Sequence, residues 1–367
     1  MDLSIEARLL SQALHKVIGV VQHKSSQPIL TCVLVSASRD GLVSLEATNT
    51  NITVSVTVAA KVDGEGSVAI PARKFAEYLG TRQEGSLQLT QSGEGRLAVI
   101  SNTGRGELPA LPALDFPATP KFEGMEFFEI AGSQLHQILG QTIRCASTDE
   151  SRASLVGVYV HEASDGLRFV ATDGHRLAVS RPGDGFEWPL GGEGITLPTR
   201  GVEELRKLID GADKVQMAKA ENHLVARTVN QQVCMRLADG GFPDYEGVIP
   251  KANDRHAAVD RSALLSAVKS VSVFAQTKTS QVEMAFASGA LTLAAQSDSG
   301  TAREEIEANY DDVELRIGFN FRYLKDALES IHDEKAMFVM GDHLAPALIR
   351  PESSEEFICV IMPMRIS

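Results

Sequence analysis

The sequence predicts an α+β chain made of three similar copies, each with two helices packed on antiparallel sheets. The amphipathic helix pattern at 133–147 recurs around Leu10 and Leu264, so that Leu10, Leu135 and Leu264 stand 125 and 129 residues apart. A turn leading into an alternating strand recurs at Asp40-Gly41, Asp165-Gly166 and Ser288-Gly289. A second helix opens near Pro71, Pro198 and Asn320, and each copy closes on a proline, at Phe116-Pro117, Phe242-Pro243 and Met362-Pro363. Four landmarks keep one order at intervals of 120–129 residues, which a single chance helix would not do.

The elements follow in order. The first helix, 6–22, buries Leu10, Ala13, Leu14, Val17 and Ile18 at helical spacing. Residues 52–58 alternate strictly, with Ile52, Val54, Val56 and Val58 on one face of a half-buried strand. A second helix spans 71–82, and proline suits its first position because the missing N–H would be unpaired there. In the second copy Ser133 is expected to cap a helix. Leu135, Ile138, Leu139, Ile143 and Ala146 form its apolar stripe, and Gln134, Gln137, Gln141 and Arg144 its acid-free polar face. Strands at 168–171 and 177–180 are joined by Thr172-Asp173-Gly174-His175-Arg176, where Asp-Gly signals a turn. Helices at 198–210, 261–275 and 320–331 complete the set, the fifth with Leu264, Ala267, Val268 and Val271 as its stripe.

A chain of 367 residues accommodates three domains, placed at 1–124, 125–252 and 253–367 with linkers at 115–124 and 250–255. The start, Met1-Asp2-Leu3-Ser4-Ile5-Glu6, lacks the basic and apolar regions of a secretory signal. No apolar run approaches the roughly 20 residues that span a bilayer. Cys32, Cys145, Cys234 and Cys359 form no C-x-x-C pair and have no nearby histidine at ligand spacing. They read as reduced, structural thiols, and no cofactor or metal is expected. The protein is expected to be soluble and cytoplasmic.

The net charge of −13, from 48 acidic and 35 basic residues, at first argues against a nucleic-acid partner. Its distribution argues otherwise. The six helices hold thirteen basic and seven acidic residues, a net +6 against −19 for the rest, and two of the three first helices carry no acid. Lysine and arginine are good helix formers, but glutamate would serve equally well, so the bias points to a basic surface for an anionic partner.

Ala171–Ser180 (ATDGHRLAVS), with GGFPDY at 240–245, IPARKF at 70–75, GFN at 318–320 and VIMPMRI at 360–366, closely resembles the bacterial DNA polymerase III β subunit, the sliding-clamp family. The resemblance runs the length of the chain. It implies three DNA-clamp domains per chain and a head-to-tail homodimeric ring of six, two helices of each facing the hole. Helices pack roughly 10 Å apart, so twelve side by side leave an opening of about 27 Å, wider than a duplex of roughly 20 Å. Six helices would leave under about 10 Å. A hole that holds DNA therefore demands a dimer.

The resemblance also implies residues. Arg8, Lys16, Arg73, Arg144, Arg200, Arg261, Lys269 and Arg322 are candidates for the inner face, with Lys24 on a loop beside it. Of these, Lys24, Arg73, Arg144 and Arg200 are the expected DNA contacts. A basic lining holds phosphates without reading bases, which suits sliding. A cleft for short peptides of the polymerase III α subunit, the clamp loader, other polymerases, ligase and mismatch-repair proteins would be formed by Arg152, Leu155, Gly157, Thr172, Gly174, His175, Arg176, Leu177, Pro243, Val248, Leu344, Val360, Ile361, Met362, Pro363, Met364 and Arg365. The dimer seam would join Val273 and Phe274 to Arg105 and Leu108 of the second chain. Ala153, Ser154, Gly106, Gly247 and Pro346 depart from residues found in some relatives. A hydrolase reading of Asp173, His175 and Ser180 finds no G-x-S-x-G, GK[ST] or H-E-x-x-H motif. The resemblance implies a processivity factor, and no enzymatic activity is expected. A repeat-built scaffold that does not encircle DNA is the rival.

Overall fold

The computed structural model describes all residues except Gln83, Gly93, Glu94, Lys121, Glu123, 191–193, Ser367 and the side chain of Ser92. Lys121 and Glu123, in the expected linker 115–124, thus lie outside the described residues. Six α-helices are described: α1 (Ala7–Val17), α2 (Ala72–Gly80), α3 (Gly132–Ile143), α4 (Thr199–Ile209), α5 (Arg261–Ser272) and α6 (Phe321–Ser330). Each copy runs strand, helix, strands, helix, strands, and every pairing within the sheets is antiparallel. The fold is α+β.

The apolar stripes are buried except for Ile18, just past the end of α1, and Ile143, the last residue of α3, which are half-buried. Leu10, Ala13, Leu14 and Val17 of α1, Leu135, Ile138 and Leu139 of α3, and Leu264, Ala267, Val268 and Val271 of α5 are all in the core. The helix ends differ from expectation. Strand Phe128–Ala131 pairs with Lys214–Ala220 and brings Gly132 against the loop before it, where a Cβ would lie 2.1 Å from the Ala212 carbonyl oxygen. α3 therefore begins at Gly132, and Ser133 is its second residue and not its cap. Pro71 and Pro198 end strands, and Pro71 is the N-cap of α2 and not its first helical residue. True side-chain caps stand on α5, where Asp260 accepts from the Ala263 N–H at 2.7 Å, and on α6, where Asn320 accepts from the Arg322 N–H at 2.9 Å.

The chain forms two compact units, Met1–Ser133 with Arg200–Leu237, and Gln134–Thr199 with Ala238–Ser367. The first unit holds a five-stranded sheet, which ends on the edge strand Gly104–Pro109, and a nine-stranded sheet. In the larger sheet Ile52–Ala59 pairs with Gln231–Arg236, so strands from the first and second copies share one ladder. Ile52, Val54, Val56 and Val58 point into the core as the alternation predicts. Helix α1 lies on this sheet beside α2.

The second unit is built on one twelve-stranded sheet. Its central joint is the pairing of Arg176–Ser180 with Phe357–Ile361, and its last strand is Leu315–Asn320. Helices α5 and α6 pack side by side in this unit, with α5 on strands Ala290–Ser297 and Gly300–Asn309. Gln141 of α3 is not on a solvated face. It is 7 % exposed, donates to the Ser330 carbonyl at 3.3 Å and accepts from the Ser180 hydroxyl at 2.7 Å. A polar residue in this packing survives because both ends of its amide are bonded.

All four cysteines are free and buried. Burial, with Glu46 nearby, pushes the Cys234 thiol up to about 12. No described helix is long and apolar enough to cross a membrane.

Candidate functional site

The sheet joint in the second unit brings distant segments together. Strand Gly166–Thr172 leads into the turn 172–176, strand Arg176–Ser180 leaves it, and Phe357–Ile361 lies alongside. The Thr172 hydroxyl donates to the Arg176 carbonyl at 2.6 Å and accepts from the Gly174 N–H at 3.1 Å. Asp173 Oδ1 accepts from the N–H groups of His175 and Arg176 at 2.9 and 3.1 Å. Gly174 has φ +90°, which glycine adopts without steric cost. Arg152 lies over this glycine and donates to the Asp173 carbonyl at 2.8 Å.

The turn borders a cavity of about 150 Å³, lined by Arg152, Leu155, Thr172, Gly174, His175, Arg176, Leu177, Pro243, Asp244, Tyr245, Val248, Val360 and Met362. Most of this surface is apolar side chain, with arginine at its margin. Met362 and Val248 are 40 % and 44 % exposed. Large apolar groups left open to water beside a cavity suit an occupant that covers them.

Behind the cavity the walls are braced. Arg176 is 11 % exposed at its side chain, pairs with Asp326 at 2.5 Å and Asp173 at 3.1 Å, donates to the Arg144 carbonyl, and stacks 4.4 Å from the Tyr323 ring centre. Burial opposes its charge, but the Cys145 sulfur and the Asp326 and Asp173 carboxylates outweigh burial and hold the guanidinium above the usual arginine range. On the other side Tyr159 stacks between Phe242 and His161, with ring centres 4.7 and 4.8 Å away. Arg168, 8 % exposed, pairs with Asp165 and Glu246 and donates to the Tyr245 hydroxyl at 3.0 Å. The Glu162 carbonyl can only accept, so the neutral His161 ring carries its hydrogen on Nδ1, and Nε2 accepts from the Tyr245 hydroxyl 2.8 Å away. Burial pushes the Tyr245 phenol up.

Eleven of the expected cleft residues line the cavity. Gly157, Leu344, Ile361, Pro363, Met364 and Arg365 do not. Gly157 serves strand packing, since a Cβ there would lie 2.3 Å from the Leu197 carbonyl oxygen. Ile361 is buried in its strand, and Leu344 stands exposed on a loop held by Asp342. Asp244 and Tyr245 were missed, although both stand inside the FPDY motif.

Sequence families described as DNA polymerase III beta subunit match the chain throughout: the N-terminal domain over residues 1–120, the central domain over 129–244 and the C-terminal domain over 246–365. The chain belongs to the DNA polymerase III beta subunit family. It is 32 % identical over 374 residues to the beta sliding clamp of Caulobacter vibrioides and 29 % identical over 369 to that of Escherichia coli, covering 100 % of each. Among solved structures it is similar to a C. crescentus beta sliding clamp (TM-score 0.91, 30 % identity, 100 % of this chain and 99 % of that one). A Bartonella birtlesii sliding clamp bound to griselimycin gives a TM-score of 0.90 at 31 % identity, with both chains covered fully.

The other residues expected of a beta subunit lie on helices, loops and sheet edges. Arg8, Lys16, Lys24, Arg73, Arg200, Lys269 and Arg322 are exposed, and Arg73 meets His23 at 2.7 Å. Arg144 is engaged by Glu329 at 2.8 Å and Asp326 at 3.5 Å, and Arg261 donates to the Asp333 carbonyl at 3.0 Å. Arg105 pairs with Glu107 on the edge strand, while Leu108 is 6 % exposed in the unit's own core. Val273 is 72 % exposed, and Phe274 packs at Gly300. Gly106 is covered from within the chain, since a Cβ there would lie 2.6 Å from the Tyr78 ring. Asp173, His175 and Ser180 are not brought together as a catalytic set: the Asp173 carboxylate is spent on the turn, and Ser180 is buried against Gln141. Among the described residues no His, Cys, Asp and Glu cluster is placed to hold a metal.

Proposed function

We propose that the chain is a non-catalytic DNA sliding clamp, a homodimeric ring that encloses duplex DNA and tethers the replicative polymerase to it. The observation that carries this reading is the apolar, arginine-rimmed cavity that residues from 152 to 362 assemble on a chain of the beta subunit family. We read it as the docking cleft for short peptides of the polymerase III α subunit, the clamp loader, other polymerases, ligase and mismatch-repair proteins. Three domains at 1–124, 125–252 and 253–367, doubled by self-association of the edge strand Gly104–Pro109, where Arg105 is exposed and Leu108 packs behind it, with Val273 and Phe274 of the second chain, would supply the twelve helices that the opening requires. Exposed Lys24, Arg73 and Arg200 would meet phosphates, with Arg144 contributing through a charge shared with α6. The working compartment is the cytoplasm.

Topological enclosure needs no strong contact, so the loaded protein should stay on circular DNA and run off the ends of linear DNA. Equal retention on both would overturn the ring. Within the cleft, Met362→Ala combined with Met364→Ala should abolish binding of labelled polymerase peptides while light scattering still shows a dimer. Undiminished peptide binding would remove the cleft from this reading.

A further inference from the structure

The Gly-Phe-Asn motif at 318–320 has a use that the helix cap at Asn320 does not exhaust. Gly318 lies on strand Leu315–Asn320, last in the twelve-stranded sheet and paired on one side with Gln281–Ala287. Its other side takes the C-terminal segment. The Met364 N–H donates to the Gly318 carbonyl at 2.7 Å, and the two residues form an isolated antiparallel bridge. A Cβ at 318 would lie 2.7 Å from the Met364 carbonyl oxygen and 3.3 Å from Ile366 Cγ1. Gly318 is not among the glycines with positive φ, so it is needed here for room and not for backbone freedom. A second bond, from Gln281 Nε2 to the Arg365 carbonyl at 3.0 Å, holds the same segment.

The segment's other anchor is in the cleft, where the Met362 N–H donates to the His175 carbonyl at 3.0 Å. Between the anchors stands only Pro363, whose ring fixes φ. Few free dihedrals are therefore left to absorb a displacement of Met364 before it reaches Met362. We propose that Gly318 is a positioning residue for peptide binding: it leaves room for the Met364 carbonyl, so that the strand edge holds the C-terminal segment at the depth that presents Met362 to the cleft. This rests on reading the cleft as a peptide site.

The test uses the full-length protein, ¹³C-labelled at its methionine methyls, and the tightest-binding fluorescein-labelled peptide from a tiled set covering the polymerase α subunit. Gly318→Ala should weaken that peptide about tenfold, as an overpacked contact would. The Met362 and Met364 methyl resonances should move, while the other methionines and the thermal unfolding midpoint stay where they were. Gln281→Leu, which adds no bulk beneath the segment, should cost about two- to threefold. Wild-type affinity in Gly318→Ala, or a lowered midpoint with all methionines shifted, overturns the proposal. Should that variant fail to fold, wild-type affinity in Gln281→Leu overturns it instead. Met362→Ala separates the two readings: if it leaves the peptide bound, the cleft assignment itself falls and takes this one with it.

Discussion

The turn at 172–176 has a near-copy in the other unit, at 48–52. Thr48 donates its hydroxyl to the Ile52 carbonyl at 3.0 Å and accepts from the Thr50 N–H at 3.0 Å, as Thr172 does with Arg176 and Gly174. Asn49 Oδ1 accepts from the N–H groups of Asn51 and Ile52, as Asp173 Oδ1 does from His175 and Arg176. The third residue has positive φ in both, 78° at Thr50 and 90° at Gly174. The fifth residue separates them. Ile52 turns into the core, whereas Arg176 reaches Asp173, Asp326 and Tyr323. The same pattern of side-chain-to-backbone hydrogen bonds builds both turns, while the fifth residue packs into the core in one and braces the wall of the cleft in the other.

The largest expected effect tests that side chain. Arg176→Ala takes from Asp173 its paired cation and leaves Asp326 with Arg144, at 3.5 Å, and should lower the second unit's stability to denaturant by about 3 kcal/mol and abolish peptide binding. Wild-type peptide affinity in this variant would break the contrast. Ile52→Ala should cost about 2–4 kcal/mol through its cavity and leave peptide affinity unchanged in the same titration. At the third position, Gly174→Ala should cost about 1–2 kcal/mol for a side chain in the left-handed region, and it drives Arg152 off the turn, since the new Cβ would lie 2.9 Å from its Nη2. Thr50→Gly should instead raise stability, by about 0.5 kcal/mol, by relieving the same strain.

The smallest effect lies two residues ahead of each turn, where Glu46 stands in one unit and Val170 in the other. Burial pushes the Glu46 carboxyl up, and the Thr119 hydroxyl, at 2.6 Å, only partly offsets this. A value raised by folding means that the protonated form favours the fold: the contribution is complete below the unfolded value of about 4.3 and is lost as pH rises through the folded one. Glu46→Gln should therefore unfold at a higher temperature than the parent at pH 8, and at the same temperature at pH 4. An equal difference at both values would point to packing and not ionisation.

What could be read before the fold was known follows the range of each interaction. Periodicity is local, so the buried stripes of α1, α3 and α5 and the alternation at 52–58 were legible, as was the Thr172–Arg176 turn from Asp-Gly alone. Ser133 was misplaced because the start of α3 is set by the Ala212 carbonyl, far along the chain, against which only glycine fits. Gln141 reads only as part of a polar face because its partners, Ser180 and Ser330, arrive on other elements. Arg144 could not be seen as paired, since Asp326 and Glu329 lie in the third copy. The space above Gly106 is likewise filled by Tyr78, from a helix that pattern alone does not aim at it.

The cleft takes its wall from the turn at 172–176 and its exposed methionine from position 362. Translation delivers these parts far apart in time. A nascent chain can complete the turn, and even the ladder of the first unit, while the ribosome still holds the strand that must lie beside Arg176–Ser180. On the proposed reading of the cleft, a molecule still lacking residues 357–364 has neither Val360 nor Met362 to offer a peptide.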